Sequence, residues 1–173
     1  MTIDVLKSCK PYKNLSEEIC VAALNQAKRS TLGSFNTGAV IFNTKTLEII
    51  GKGCSHYADW STLPTVHAEE HAIKSCHIKR RRNSYSILIV CIGRAGNLTY
   101  SSRPCVSCAK RLHKVGIEFV YYPERLNDGE WIINVESPFS LLERVHENRQ
   151  RMRYAKDMRI LDEAHRGVLS VQR

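Results

Sequence analysis

The stretch Thr65-Val66-His67-Ala68-Glu69-Glu70-His71-Ala72-Ile73 gathers two imidazoles and two carboxylates in one short run. Histidines four apart share a face if the run is helical, and such a face suits a metal ion. A single histidine on a helix is more often a hydrogen-bonded core residue, so a second element has to decide the use of this one. Pro104-Cys105-Val106-Ser107-Cys108 supplies it. Two cysteines three apart at a helix start put both sulfurs on one side of the first turn. There the helix dipole favours thiolate, the form that binds zinc. Two thiolates and one imidazole fill three positions of a tetrahedral zinc and leave the fourth open, which separates a catalytic site from a structural one.

Other readings of the same residues exist. His67-Ala68-Glu69-Glu70-His71 fits H-x-x-E-H, the inverted zinc-peptidase pattern, with both histidines as ligands and Glu70 as base. A Cys-x-x-Cys pair alone could be redox-active or half of a structural zinc site. Against these, no second Cys-x-x-Cys completes a four-sulfur site, and a redox pair leaves His67 and Glu69 without a role. No acidic residue lies between Glu70 and Glu118 to give a peptidase its further ligand. A zinc-binding scaffold without catalysis requires Glu69 to be incidental.

The elements that must position these residues can be read from periodicity and punctuation. Asn14 and Ser16 offer caps for a helix over Leu15–Arg29, whose Ile19, Cys20, Ala23, Leu24 and Ala27 form one face, and Gly33 is placed to end it. Gly38–Phe42 and Leu47–Cys54 read as a hairpin turned at Asn43–Thr46. Gly51 and Gly53 permit a bulge or close backbone approach. The loop Ser55–Pro64 feeds a helix over Val66–Ile78, stopped by the basic turn Lys79–Asn83. Ser86–Ile92 is an apolar run, as expected of a strand buried on both faces. A helix with Pro104 at its first position runs to Val115 and is closed by Gly116; the strand Ile117–Tyr122 follows. Strand, helix, strand at this length makes the two strands parallel. Asn127–Gly129 is a turn, Trp131–Ile133 a short strand, and Phe139 opens a long charged helix. Cys76 and Cys91 read as ordinary buried small residues.

Length and composition agree with one domain. The 173 residues are 43% hydrophobic and 25% charged, enough for a core without disulfides. No apolar run is long enough to span a bilayer, and Met1–Asn14 lacks the apolar core of an export signal, so a cytoplasmic protein with reduced thiols is expected. The net charge of +9 is concentrated between Glu70 and Glu118, where Lys74, Arg80, Arg81, Arg82, Arg94, Arg103, Lys110 and Arg111 stand with no acid between them. Phosphate-bearing partners follow from that window, against the plainer reading of a solvated basic face.

Together, His67-Ala68-Glu69 and Pro104-Cys105-Val106-Ser107-Cys108 resemble the zinc-dependent nucleobase deaminases, whose signature is H-x-E followed by P-C-x-x-C. The looser match of element order covers Leu15 to Tyr122. The resemblance implies a three-layer α/β/α cytidine deaminase-like fold with a mixed sheet of about five strands. It also implies a deaminase domain over residues 1–138 and a helical extension of that domain over 139–173. One zinc is expected on His67, Cys105 and Cys108, with Glu69 carrying protons from the attacking water to the ring nitrogen and the leaving amine. His71 becomes a packed or hydrogen-bonded helix residue, and Glu70 faces solvent or caps the helix. Substrate contacts implied by position are Ala39, through its backbone, and Ser55, His56, Tyr57 and Arg103. Ser55-His56 stands where many relatives carry an asparagine. Phe35, Tyr57 and Trp60 are candidates for stacking on the base.

The activity so implied is hydrolytic removal of ammonia from a cytosine-type nucleotide or nucleoside, deoxycytidylate to deoxyuridylate first among them. The alternative within the family is a deaminase of transfer RNA or another nucleic acid, using the basic window and the last helix. The basic stretches carry few aromatics for stacking, which favours the monomer. A homo-oligomer is expected, since relatives commonly assemble.

Overall fold

The computed structural model describes residues 6, 15–33, 35–57, 65–76, 78, 84–99 and 101–144. The expectations for Trp60, for the basic turn at 79–83 and for the last helix beyond residue 144 lie outside them.

Ser16 caps the first helix, α1 (Glu17–Lys28), by accepting the Ile19 amide, and the apolar face is buried as its spacing requires. The helix ends earlier than expected, with Arg29 as C-cap still in right-handed conformation; Gly33 takes its positive φ in the bend beyond. β1 (Asn36–Asn43) and β2 (Ile49–Cys54) pair antiparallel. Their turn is held by Asn43, whose side-chain oxygen accepts the amides of Lys45 and Thr46. Two short strands, β3 (His56–Tyr57) and β4 (Thr65–Val66), form a separate ladder just before the second helix, α2 (Ala68–Lys74). β5 (Tyr85–Ile92) is buried at every position. α3 (Val106–Val115) ends in a left-handed Gly116, and β6 (Ile117–Arg125) and β7 (Trp131–Glu136) complete the sheet.

The sheet order is β2-β1-β5-β6-β7, with β5 and β6 parallel and every other neighbour antiparallel. This is the mixed five-stranded sheet expected, and the β5-α3-β6 unit supplies its one parallel pair. Alternation along β1 and β5 sorts the core into two layers. Val40, Phe42, Leu88, Val90 and Ile92 pack with α1 on one face. Ala39, Ile41, Ile87 and Ile89 pack on the other with Ala68 and Ala72 of α2, Ala109 and Leu112 of α3, and Leu141 in the helical residues 138–144. The result is three layers, α/β/α. Among the described residues, no helix is long and apolar enough to cross a membrane.

Two glycines set how closely the helices lie on the sheet. A Cβ on Gly38 would stand 2.2 Å from the Ala23 carbonyl oxygen and 2.3 Å from the Ala27 amide nitrogen of α1. On the opposite face, a Cβ on Gly53 would stand 2.3 Å from both the Ala68 oxygen and the Ala72 nitrogen of α2. Each helix rests its backbone directly on a strand, which is the close approach glycine permits. Ser75 fastens the far end of α2, its hydroxyl accepting the Lys52 amide while lying 2.9 Å from the Lys52 and Ala72 carbonyls.

Of the boundaries that differ from the sequence reading, three have a clear local reason. α2 starts at Ala68 rather than Val66, because Thr65 and Val66 are extended and paired with Tyr57 and His56. Pro104 lies one residue before the N-cap of α3, which is Cys105. β6 runs through Pro123 because its other edge pairs with β7, Pro123 opposite Ile133. The pairing with β5 ends at Tyr121, opposite Leu88, so the missing proline N–H leaves no β5 partner unmet, and the Pro123 carbonyl accepts the Ser102 amide instead.

Candidate metal centre and cavity

His67 is the N-cap of α2 and Cys105 the N-cap of α3, so the two helices present their N-terminal ends to one place. Cys108 lies in the first turn of α3 and is buried; His67 and Cys105 are exposed. His67 Nδ1 stands 3.6 Å from Cys105 Sγ and 3.4 Å from Cys108 Sγ. Zinc bonds of about 2.0 Å to nitrogen and about 2.3 Å to sulfur at a tetrahedral angle require a separation of about 3.5 Å. The three side chains therefore fit a zinc ion as they stand. Two soft sulfurs and an imidazole are also the donors zinc favours.

Glu69 points inward. Only 4% of its surface is exposed, and burial raises its carboxyl above the ordinary value, opposed by a backbone hydrogen bond and by His67 and Cys108. The Cys108 thiol is pushed well up, first by burial, then by the charges of Glu69 and Cys105. Burial and the acidic neighbours therefore work against the thiolate that the helix start favours, and a bound cation would favour it again.

A cavity of about 270 Å³ opens onto this cluster. His67, Glu69 and Cys105 line its floor, and Phe35, Thr37, Ser55, Cys91 and Arg103 stand among its walls. Phe35 is 66% exposed, a large apolar ring presented to the opening. Ser55 is buried and held by the Thr37 amide at 3.0 Å and the Ser30 hydroxyl at 2.9 Å. Arg103 is half-buried, and its Nη2 is a buried donor with no hydrogen-bond partner among the described residues.

Of the substrate contacts read from the sequence, Ser55 and Arg103 line the cavity. Ala39, His56 and Tyr57 do not. Ala39 shares a sheet face with Thr37 but sits one pleat deeper, fully buried under Ala68 and Ala72. His56 turns back to the Cys54 carbonyl at 2.9 Å, and Tyr57 is largely exposed. Cys91 is buried, as expected of a small residue, and also lines the wall, as do Thr37, Ser101 and Ser102. Thr37 had a signal, the period of two along β1; the serines had none, because the loop Gly93–Ser102 carries no periodicity. Its end is fixed by Ser102, whose hydroxyl accepts the Cys91 amide at 2.8 Å.

The outer pair of the histidine cluster takes other partners. Glu70 neither caps the helix nor faces open solvent: it is paired with Lys74 at 3.0 Å and with Arg111 of α3 at 2.6 Å. Lys74 first, and then Arg111, hold its carboxyl below the ordinary value against the cost of burial. His71 is hydrogen-bonded beside the site, with Nδ1 3.1 Å from the Cys54 carbonyl and 3.3 Å from the Cys54 amide, its ring edge-on to His56. It belongs to a second Cys/His group with Cys54 and His56, apart from His67. The two histidines of the peptidase pattern do not converge.

The layers and the donor set define an α/β protein with a His-Cys-Cys cluster, spaced to hold a metal, beside a buried carboxyl. A family profile described as the cytidine and deoxycytidylate deaminase zinc-binding region matches residues 13–124, more than half of the chain, and the protein belongs to that family. It is thus placed among zinc-dependent deaminases of cytosine-type nucleosides and nucleotides. Among solved structures, cytidine deaminase from Burkholderia pseudomallei is similar at 18% identity and TM-score 0.53, over 72% of this chain and 93% of its own, a likeness of fold. The dCMP deaminase of cyanophage S-TIM5, in complex with dCMP and dUMP, aligns at 17% identity and TM-score 0.42 over 75% of this chain and 93% of its own. No curated protein matches in sequence.

Proposed function

We propose that the protein is a hydrolytic deaminase that converts deoxycytidylate to deoxyuridylate with release of ammonia. The observation that carries the chemistry is a buried Glu69 on the cavity floor beside His67 and Cys105, at the mouth of a donor set spaced for zinc. His67, Cys105 and Cys108 would hold one catalytic zinc ion, which when bound makes water a competent nucleophile near neutral pH. Glu69 accepts the proton of the attacking water, passes it to the ring nitrogen, and delivers a proton to the departing amine. A carboxyl raised by burial suits that task, since it takes up and releases protons closer to neutrality than an exposed one. Phe35 offers a face for the pyrimidine ring and Thr37 a hydroxyl to the sugar or base, while Ser55, bonded to Ser30 and Thr37, holds the wall in place.

Arg103 supports a phosphate-bearing monomer. It lines the same cavity, and a guanidinium is shaped to hold a phosphate. Three other cations of the basic window among the described residues are engaged elsewhere: Lys74 and Arg111 with Glu70, and Arg94 with the Gly33 carbonyl. A cytoplasmic homo-oligomer acting on a small-molecule nucleotide is the corresponding setting.

The test is ammonia release by the zinc-loaded protein from deoxycytidylate, deoxycytidine, cytidine and transfer RNA. Deoxycytidylate is expected to be turned over best, and Arg103→Met to raise its KM at least about tenfold, in line with the loss of a charged hydrogen bond, while leaving deoxycytidine unaffected. Equal use of nucleoside and nucleotide refutes the phosphate assignment. Turnover confined to RNA replaces it with the polynucleotide reading, and release from no cytosine substrate refutes both.

A further inference from the structure

The second group of soft donors lies behind the cavity wall. Cys54 closes β2 and is buried, His56 opens β3, and His71 sits on α2 one turn past His67. One ligand atom from each of the three lies within 4.8 Å of the others. His71 Nδ1 is 3.9 Å from Cys54 Sγ, and the two rings meet nearly at right angles with centroids 4.7 Å apart.

The hydrogen bonds around the rings favour a ligand role. Nδ1 of His56 and Nδ1 of His71 approach the same acceptor, the Cys54 carbonyl, at 2.9 Å and 3.1 Å. A carbonyl oxygen has two lone pairs and can accept both N–H groups. For His56 the carbonyl is the partner of Nδ1 among the described residues, and an imidazole that donates from Nδ1 keeps a bare lone pair on Nε2, as ligating histidines commonly do; His71 Nδ1 also lies 3.3 Å from the Cys54 amide, which it can accept. Two imidazoles and a thiol are soft donors of the kind zinc takes.

We propose that Cys54, His56 and His71 form a second zinc site, separate from the one at His67, Cys105 and Cys108. Its place is structural: it joins the end of β2 to the helix that carries His67 and Glu69, and it flanks Ser55 of the cavity wall. Three protein donors leave a fourth position for water.

The experiment counts metal. Metal-free protein is titrated with Co2+, following thiolate charge-transfer and d–d absorption, and zinc per chain is measured by mass spectrometry after loading and dialysis. The unmodified chain is expected to bind two ions. Cys105→Ser/Cys108→Ser is expected to bind one, with a weaker charge-transfer band because a single thiolate remains. His56→Ala, at a half-buried position, is expected to bind one while keeping the two-thiolate spectrum. Saturation of the unmodified chain at one ion overturns the proposal, and that count needs no variant to fold. Two ions retained by His56→Ala, or none bound by a folded double-cysteine variant, also overturn it.

Discussion

Gly53→Ala adds one methyl group between β2 and the helix that bears the proposed chemistry. The new carbon would sit 2.3 Å from the Ala68 oxygen and the Ala72 nitrogen, where ordinary contact begins at 3.4 Å. Both neighbours are backbone, so neither can rotate aside, and α2 has to withdraw by roughly 1 Å. His67 and Glu69 travel with it. The separations of 3.4 and 3.6 Å between His67 Nδ1 and the sulfurs would open toward about 4.5 Å, beyond what two zinc bonds of about 2.0 and 2.3 Å can span even in line. Zinc affinity is expected to fall, and kcat with saturating zinc to fall about a hundredfold, the scale of a 1 Å misplacement. Overpacking should also cost about 1–3 kcal/mol of stability in urea denaturation. Gly38→Ala is the control. Its methyl meets α1 at 2.2 and 2.3 Å on the opposite face, where no zinc donor or Glu69 is carried. It should lose comparable stability while kcat per folded molecule stays within about threefold of the unmodified protein, an estimate resting on the additivity of separated sites. Normal kcat and zinc affinity in Gly53→Ala, or equal losses of kcat in both variants, refute the idea that this glycine sets the height of the catalytic helix.

Glu69→Gln should retain zinc and lose about 10³-fold or more in ammonia release, the range of positioned acid–base groups; activity within tenfold removes Glu69 from the reaction. Because burial and its acidic neighbours keep the Cys108 thiol protonated in the metal-free protein, zinc loading must expel that proton. Affinity should rise about tenfold per pH unit for each proton released, and calorimetry in buffers of different ionisation enthalpy would expose a reaction that releases none. Glu70→Gln should cost only about 0.5 kcal/mol, since its partners are half exposed or more. Its folded pKa is lowered, so this contribution is present above the ordinary 4.5 and fades as pH falls through the depressed folded value. Urea melts at neutral and acid pH should therefore converge for the two proteins; a difference that persists in acid contradicts the ion-pair account.

Much of this arrangement is legible in the chain because short motifs fix chemistry by spacing. Cys105 and Cys108 stand three apart at a helix start wherever that helix lies, and β5-α3-β6 has one favoured hand and one relative strand direction. The parts that escaped depend on contacts between segments. Nothing in the residues near Val66 says that it pairs with His56, yet that pairing puts His67 at a helix cap rather than on a helix face. Ala39 and Thr37 share a parity on β1, and only the seat of α2 on Gly53 decides which of them reaches the cavity. The cavity wall at Ser101 and Ser102 follows from a bridge to Glu124 and a bond to Pro123, both on a strand that a sequence reading stops short of. Glu70 and Arg111 meet because two helices lie side by side.

The distance along the chain between His67 and Cys105 is 38 residues. An ion held by both would pin a loop of that length shut, and in an unfolded chain the same donors drift apart. Closing a loop of this size by a cross-link corresponds to about 4 kcal/mol of conformational entropy, comparable to a large share of the stability of a domain of ordinary size. Whatever catalytic duty falls to the ion, the folded population would then follow the free-zinc concentration, and a chelator strong enough to stop turnover would also loosen the fold.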